Sequence, residues 1–433
     1  MATWNGINMH IEQLTSFDLY VKHRPGQVFE TDMLSDVCSG MNPCYYMHNG
    51  NKLRASTSVS ALILDSGKFE LNPGFKPPKF FLHPWQRNSV DFVRNMINTV
   101  EKKLRNTPIL QSKAIKKIKS MAPQDMKTFL WDPHYSAHIS CDSIDTRIKK
   151  LKPFESVSSE KSTILITPDY SITNIDDYLV KSAQLMRKTI NDIEAAYPQK
   201  KHIILMGGKD SQLISLIPKL NEENWYIFSA EPNYPLVKEW VSDNNLHATK
   251  IFSHDGKNEE SMADFKRKVV CSDLYTNLIH VRYLPTLEKL VQNFNGECIF
   301  WLGSMPRRAS LYDASHRKPE SPISNTQFFN VHMNTFPGWQ GNIQQTYSNY
   351  LGCPFLSPYY LKDMWFDLYA HLDPSIIESG QDYRQRLGDL LAGRKIVWPT
   401  VNPGPAPYDY WYFWFSSYRY HLDYINKELN KKR

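Results

Sequence analysis

Hydrophobic and polar positions change rhythm along this chain. Up to about residue 100 the pattern is mainly that of β-structure. The turn His48-Asn-Gly-Asn51 followed by the run Ala55–Leu64 predicts a hairpin. Pro73, Pro77, Pro78 and Pro84 interrupt that region, and helical spacing follows over Trp85–Leu104 and Ile109–Met121. Residues 155–171 are rich in Ser and Thr, include Pro168, and read as a connection between domains. From about residue 172 helix and strand alternate. Ile175–Tyr197 places Leu179, Ala183, Met186 and Ile190 on one helical face. Then come strand 203–206, helix 211–220, strand Trp225–Ser229, helix Tyr234–Asn244, strand Thr249–Phe252, helix Leu284–Phe294 and strand Cys298–Leu302. That order predicts an α/β fold whose parallel sheet carries helices on both faces.

The densest chemistry lies in His202-Ile-Ile-Leu-Met206-Gly207-Gly208-Lys209-Asp210-Ser211. A buried strand runs into two glycines and then into the apolar-periodic Leu213, Ile214, Leu216 and Ile217. Strand, tight turn and helix start suit a phosphate, because backbone N–H groups and the positive end of a helix dipole converge there. Asp210 is a candidate metal ligand between phosphates, and Ser211 a candidate donor. An ordinary strand-turn-helix corner gives the same local pattern. In open parallel sheets ligands sit outside the carboxyl ends of the strands, where this turn falls.

Composition narrows the class. The 433 residues suggest two or three domains, and 41% hydrophobic residues suit a packed interior. No run of about 18 apolar residues occurs, so no membrane span is expected. The start of the chain lacks the basic-then-apolar pattern of a signal peptide. The six cysteines lack CxxC spacing, which indicates neither a zinc site nor a disulfide framework, and the expected compartment is the cytoplasm. A net charge of +7 is a mild bias. The basic clusters Lys113, Lys116, Lys117, Lys119 and Arg147, Lys149, Lys150, Lys152 read as solvated faces, and nucleic acid is not the expected partner. His134 and His138 have i, i+4 spacing but no third ligand. The aromatic run 408–420 reads as core, as the lining of a substrate mouth, or as an interface for an oligomer or protein partner.

Several segments, in order, resemble the asparagine synthetase family. Gly207-Gly208-Lys209-Asp210-Ser211 is similar to the Ser-Gly-Gly-x-Asp-Ser loop of ATP pyrophosphatases, with Met206 where the first Ser stands. Tyr45–Leu62 and Ile148–Phe154 resemble parts of the family's glutaminase-type (Ntn-type) domain. Phe228-Ser229, with Pro235–Asn244 and Leu246-His247, resembles the strand-helix-strand lining the adenosine. Tyr350–Ser357 resembles the Pro-Phe-Leu-Asp segment, with Ser357 in place of Asp. The resemblance implies a β-rich glutaminase-like domain over 1–165 and a parallel-sheet ATP-pyrophosphatase-like domain over 172–433. It also implies ATP at Met206–Ser211, Phe228, Ser229 and Gly303, with Mg²⁺ on Asp210.

Three departures qualify what is implied. Ala2 stands where glutamine-hydrolysing members carry a nucleophilic Cys, so no glutaminase activity is expected, as in the β-lactam synthetases and lasso-peptide cyclases. Leu302-Gly303-Ser-Met-Pro-Arg307-Arg308 replaces the acidic metal-binding segment, which puts Arg307 and Arg308 near the phosphates and Asp313 at the wrong spacing to substitute. Lys395, in Arg394-Lys395-Ile-Val-Trp-Pro399, is the nearest candidate for the family's lysine over the developing transition-state charge; a surface lysine gives the same string. The implied activity is ATP-dependent joining of a small-molecule or peptide carboxylate to an amine through an acyl-adenylate. Two alternatives stand beside it: a nucleotide-binding scaffold without turnover, and an enzyme that adenylates RNA.

Overall fold

The chain begins with short strands, in chain order β1 (Thr3–Trp4), β2 (Ile7–Asn8), β3 (Gln13–Thr15), β4 (Phe29–Thr31), β5 (Met33–Ser35), β6 (Tyr45–Asn49), β7 (Lys52–Ser56), β8 (Lys149–Lys150), β9 (Glu155–Ser158) and β10 (Ser162–Ile164). The computed structural model describes residues 3–4, 7–8, 13–38, 40–75, 96, 99–100, 103–104, 107–121, 143–248, 250–254, 261–275, 283–303, 336–373, 376, 382–398 and 417–432. Strands β1 and β2 pair with each other. Two four-stranded sheets follow, one ordered β10-β9-β5-β3 and mixed, the other ordered β4-β7-β6-β8 and antiparallel.

The predicted hairpin forms between β6 and β7, with Asn49 opposite Lys52 and Gly50 at φ 62°. The strand expected to continue through Ala55–Leu64 instead stops at Ser56, and Val59–Ser66 is a helix. Ser58 caps it by accepting from the Ala61 amide, and Gly67 ends it at φ 68°. A short apolar run is ambiguous between strand and helix; the caps decide it here. Residues 155–171 begin with β9 and β10, so their first part belongs to the mixed sheet. The helix read over Ile109–Met121 is present as Pro108–Met121. Most of Trp85–Leu104 lies outside the described residues, as do His134 and His138.

The later strands are β11 (Lys201–Leu205), β12 (Trp225–Ala230), β13 (Ile251–His254), β14 (Cys298–Leu302) and β15 (Phe355–Leu356). They form one sheet in the order β13-β12-β11-β14-β15, and every pair is parallel. Alternate residues feed opposite faces. Ile204, Ile227, Ile299 and Trp301 pack with Leu179, Met186, Ile190 and Leu213, while Ile203, Phe228 and Phe300 pack with Leu287, Leu290 and Tyr347. Burying each large side chain contributes roughly 1.5–3 kcal/mol. The helix predicted over 211–220 is shorter, Lys209–Ser215. Pro218 disfavours helical backbone at Ile217 and stops it early. Among the described residues no helix is long and apolar enough to cross a membrane.

The Phe336–Leu351 helix joins the β-rich region to the parallel sheet. Its polar residues Asn342, Gln345, Thr346 and Ser348 are buried. The Tyr45 hydroxyl donates to Gln345 Oε1 at 2.7 Å, Lys150 Nζ to Asn342 Oδ1 at 3.0 Å, and Thr57 Oγ1 to Asn349 Oδ1 at 2.7 Å. A Cβ on Gly341 would stand 2.5 Å from the Gly40 carbonyl oxygen, so only glycine allows that approach.

Candidate functional site

The chain runs β11, β12, β13 to one side of the sheet, then crosses to place β14 on the other side of β11. The order therefore reverses between β11 and β14. In open parallel sheets ligands bind outside the carboxyl ends of the strands at such a switch point. Leu205 and Leu302 end these strands in register, so Met206-Gly207-Gly208 and Gly303 leave side by side.

The two turns touch. A Cβ on Gly303 would lie 2.1 Å from the Ser211 nitrogen and 2.3 Å from its Cα, so the Gly303 backbone fills the space against the first turn of the Lys209–Ser215 helix. Neither Gly207 nor Gly208 has a positive φ; Gly208 is extended at φ −127°. A Cβ on Gly207 would meet only Asn233 Nδ2, at 3.7 Å. The left-handed freedom of glycine is thus not what this turn uses. Ser211 is spent within the turn: its Oγ accepts from the Gly207 amide at 3.1 Å and donates to the Gly208 carbonyl at 2.8 Å.

Asp210 has a neighbour that no sequence pattern announced. Arg384 Nη2 lies 2.6 Å from Asp210 Oδ1, and the two side chains are 9% and 15% exposed. Arg384 sits in the first turn of the Asp382–Ala392 helix, which packs on the Ile175–Ala196 and Lys209–Ser215 helices. Tyr359 fixes the same turn from below, its hydroxyl donating to the Asp210 carbonyl at 2.6 Å. Burial raises the Tyr359 phenol well above its ordinary range, which keeps it a donor. A divalent cation on Asp210 would stand beside the guanidinium, so Asp210 as placed does not suit a metal ion. Among the described residues no cluster of metal-ligating side chains forms elsewhere.

Buried polar atoms without a hydrogen-bond partner collect at this end of the sheet. They are Ser229 Oγ at the end of β12, Asn233 Oδ1 after it, Ser357 Oγ after β15, Gln212 Oε1 and Arg384 Nε. An unmade buried hydrogen bond costs roughly 1–3 kcal/mol, so such a group invites a polar ligand. Met206 and Phe228 are buried, and the Met206 amide donates to the Phe228 carbonyl at 2.8 Å, holding the two strand ends together. Lys209 Nζ stands 5.3 Å from the centre of the Trp398 ring. Lys395 is exposed on the segment leading to Trp398. Arg307, Arg308, Asp313 and Tyr408–Phe415 lie outside the described residues, while Tyr418 and Tyr420 pack against the core from the Ser417–Lys431 helix.

Met206–Ser211, Phe228, Ser229 and Gly303, singled out in the sequence, lie together at the carboxyl ends of β11, β12 and β14. Sequence reasoning missed Arg384, Tyr359, Gln212 and Asn233, which no motif marks. These features define an α/β protein with a parallel five-stranded sheet and a group of buried, unpartnered polar atoms near its switch point. Compared with protein-family models and with curated proteins, the chain matches none.

Proposed function

We propose that the protein is an ATP-dependent carboxylate–amine ligase whose nucleotide lies at the switch point between β11 and β14. One observation carries this reading. The Gly207–Ser211 turn sits at the switch point of an all-parallel sheet, in direct contact with Gly303 from the neighbouring strand end. The turn that resembles an ATP loop therefore stands where such folds bind anions. The unpartnered Ser229 and Asn233 atoms beside it support a polar ligand extending toward β12.

In this reading a substrate carboxylate oxygen attacks the α-phosphorus of ATP, forming the acyl-adenylate and releasing pyrophosphate. An amine then attacks the acyl carbon, forms the amide or lactam, and releases AMP. The protein contributes positioning and charge neutralisation. The Mg²⁺ that the resemblance implies would require Asp210 to leave Arg384. The test is exchange of labelled pyrophosphate into ATP in the presence of a panel of carboxylates. Carboxylate-dependent exchange is the expected result. Its absence with every carboxylate, together with retained nucleotide binding, favours the second reading: a nucleotide-binding protein without turnover. The Asp210–Arg384 pair is the observation that favours that alternative, because it occupies the carboxylate that the chemistry would use.

A further inference from the structure

Arg384 combines features that an ordinary structural ion pair does not need. It is 8% exposed, it contacts the turn at the switch point through Asp210, and its Nε has no hydrogen-bond partner among the described residues. A buried pair replaced by apolar side chains is often no less stable, so stability alone is a weak reason to keep one here. The guanidinium presents a planar fork that matches two oxygens of a phosphate, and the Nη2 contact with Asp210 leaves its Nε edge to a second acceptor. The Asp210 carbonyl is anchored by Tyr359 and the Ser211 hydroxyl is engaged inside the turn. Of the two cations at this turn, Lys209 points its Nζ at the Trp398 ring, 5.3 Å from its centre, whereas Arg384 is buried against Asp210 and can exchange that carboxylate for an incoming anion.

We infer that Arg384 is the cationic group that binds the phosphate of the ligand at this switch point, and that it does so without a divalent metal, exchanging Asp210 for the phosphate oxygens. The inference rests on the reading of the switch point as a nucleotide site and deepens it. It also reverses the expected role of Asp210. As a metal ligand, Asp210 would be required for phosphate binding. As the competitor of the phosphate for Arg384, it opposes that binding.

The experiment is calorimetric titration with inorganic pyrophosphate and with ATP, each in EDTA and in Mg²⁺. The proteins are the wild type, Arg384→Gln, Arg384→Lys and Asp210→Asn, each checked for fold by circular dichroism and melting. The expected result is binding that persists in EDTA, weakens at least tenfold in Arg384→Gln, weakens less in Arg384→Lys and tightens severalfold in Asp210→Asn. Binding that requires Mg²⁺, is lost in Asp210→Asn and is unchanged in Arg384→Gln overturns the arginine inference and leaves the nucleotide reading standing. Pyrophosphate binding with this mutational pattern but no ATP binding supports the inference and removes the nucleotide reading. No binding of either ligand to the wild type overturns both. If Arg384→Gln does not fold, the sign of the Asp210→Asn effect decides the question alone.

Discussion

The Ser60 hydroxyl donates to the Asp273 carboxylate at 2.5 Å across 213 positions of sequence. The same carboxylate accepts the Val59 and Ser60 amides at 2.9 and 3.0 Å and Gln345 Nε2 at 3.2 Å. It thus caps the Val59–Ser66 helix from the other side of a buried interface. His421 Nε2 lies 3.1 Å from the Ser60 oxygen, which brings Ser, His and Asp together. The arrangement is not that of a nucleophile. The serine gives its proton to the carboxylate rather than to the imidazole, and all three residues are buried.

Removing that carboxylate strands several buried donors at once. Asp273→Ala is expected to destabilise the protein by about 3 kcal/mol, the size of a lost charged acceptor in a buried site. Urea unfolding measures it. The Ser60→Ala, Asp273→Ala double variant should lose less than the sum of the single losses, because the two groups share one contact. Strict additivity would show that Ser60 and Asp273 are not coupled.

Two pairs of buried groups give opposite pH slopes. Burial pushes Asp273 and Asp36 up to about 6, from the ordinary 3.8. The folded state then holds protons more tightly, so their stabilising contribution is full below 3.8 and is lost as pH rises through about 6. Burial lowers His421 to about 4 and His202 to about 3, from 6.5. Their contribution is present above 6.5 and is lost as pH falls through these values. The melting temperature of His421→Asn should therefore fall less than that of the wild type on acidification from pH about 6.5 to 4. Parallel melting curves for the two proteins would remove His421 from the acid response.

How legible was this molecule in its sequence? Four of the five parallel strands were legible because each is a short apolar run bounded by turn residues, as at Ile203–Leu205 before Gly207, whereas the two-residue strand Phe355–Leu356 was too short to read. The glycines marked the switch-point turns, although Gly207 and Gly208 do not use positive φ and Gly303 is needed for backbone approach instead. The buried polar face of Phe336–Leu351 was not legible. Asn342, Gln345 and Thr346 look like surface residues until their partners arrive from Lys150, Tyr45 and the helix backbone. Arg384 was hidden for the same reason. Its partner lies on a distant helix, and periodicity reports which face is apolar but not which charge answers which.

Tyr359→Phe tests the anchor beneath the loop. The hydroxyl is buried and donates to the Asp210 carbonyl, so its loss should cost about 1 kcal/mol in urea unfolding. Because the contact holds the turn that carries Asp210, pyrophosphate affinity should fall as well. Lost stability with unchanged affinity would make Tyr359 a packing residue alone.

Gly303 and Gly207 should respond in opposite ways to the same methyl group. At Gly303 the new Cβ would lie 2.1 Å from the Ser211 nitrogen and 2.6 Å from the Asp210 carbonyl carbon. These are backbone atoms at the start of a helix, so no side-chain rotation relieves the overlap. Either the end of β14 or the helix must move. Gly303→Ala should therefore cost about 3 kcal/mol, the upper range for overpacking, and should weaken any ligand that spans both turns. At Gly207 the new Cβ would meet Asn233 Nδ2 at 3.7 Å, an ordinary contact. Gly207→Ala should leave the urea midpoint nearly unchanged. Its effect on pyrophosphate titration then reports on the switch-point turn alone: weaker binding with intact stability places the anion against this turn. Equal destabilisation by the two substitutions would mean that β14 and the helix do not approach as closely as described.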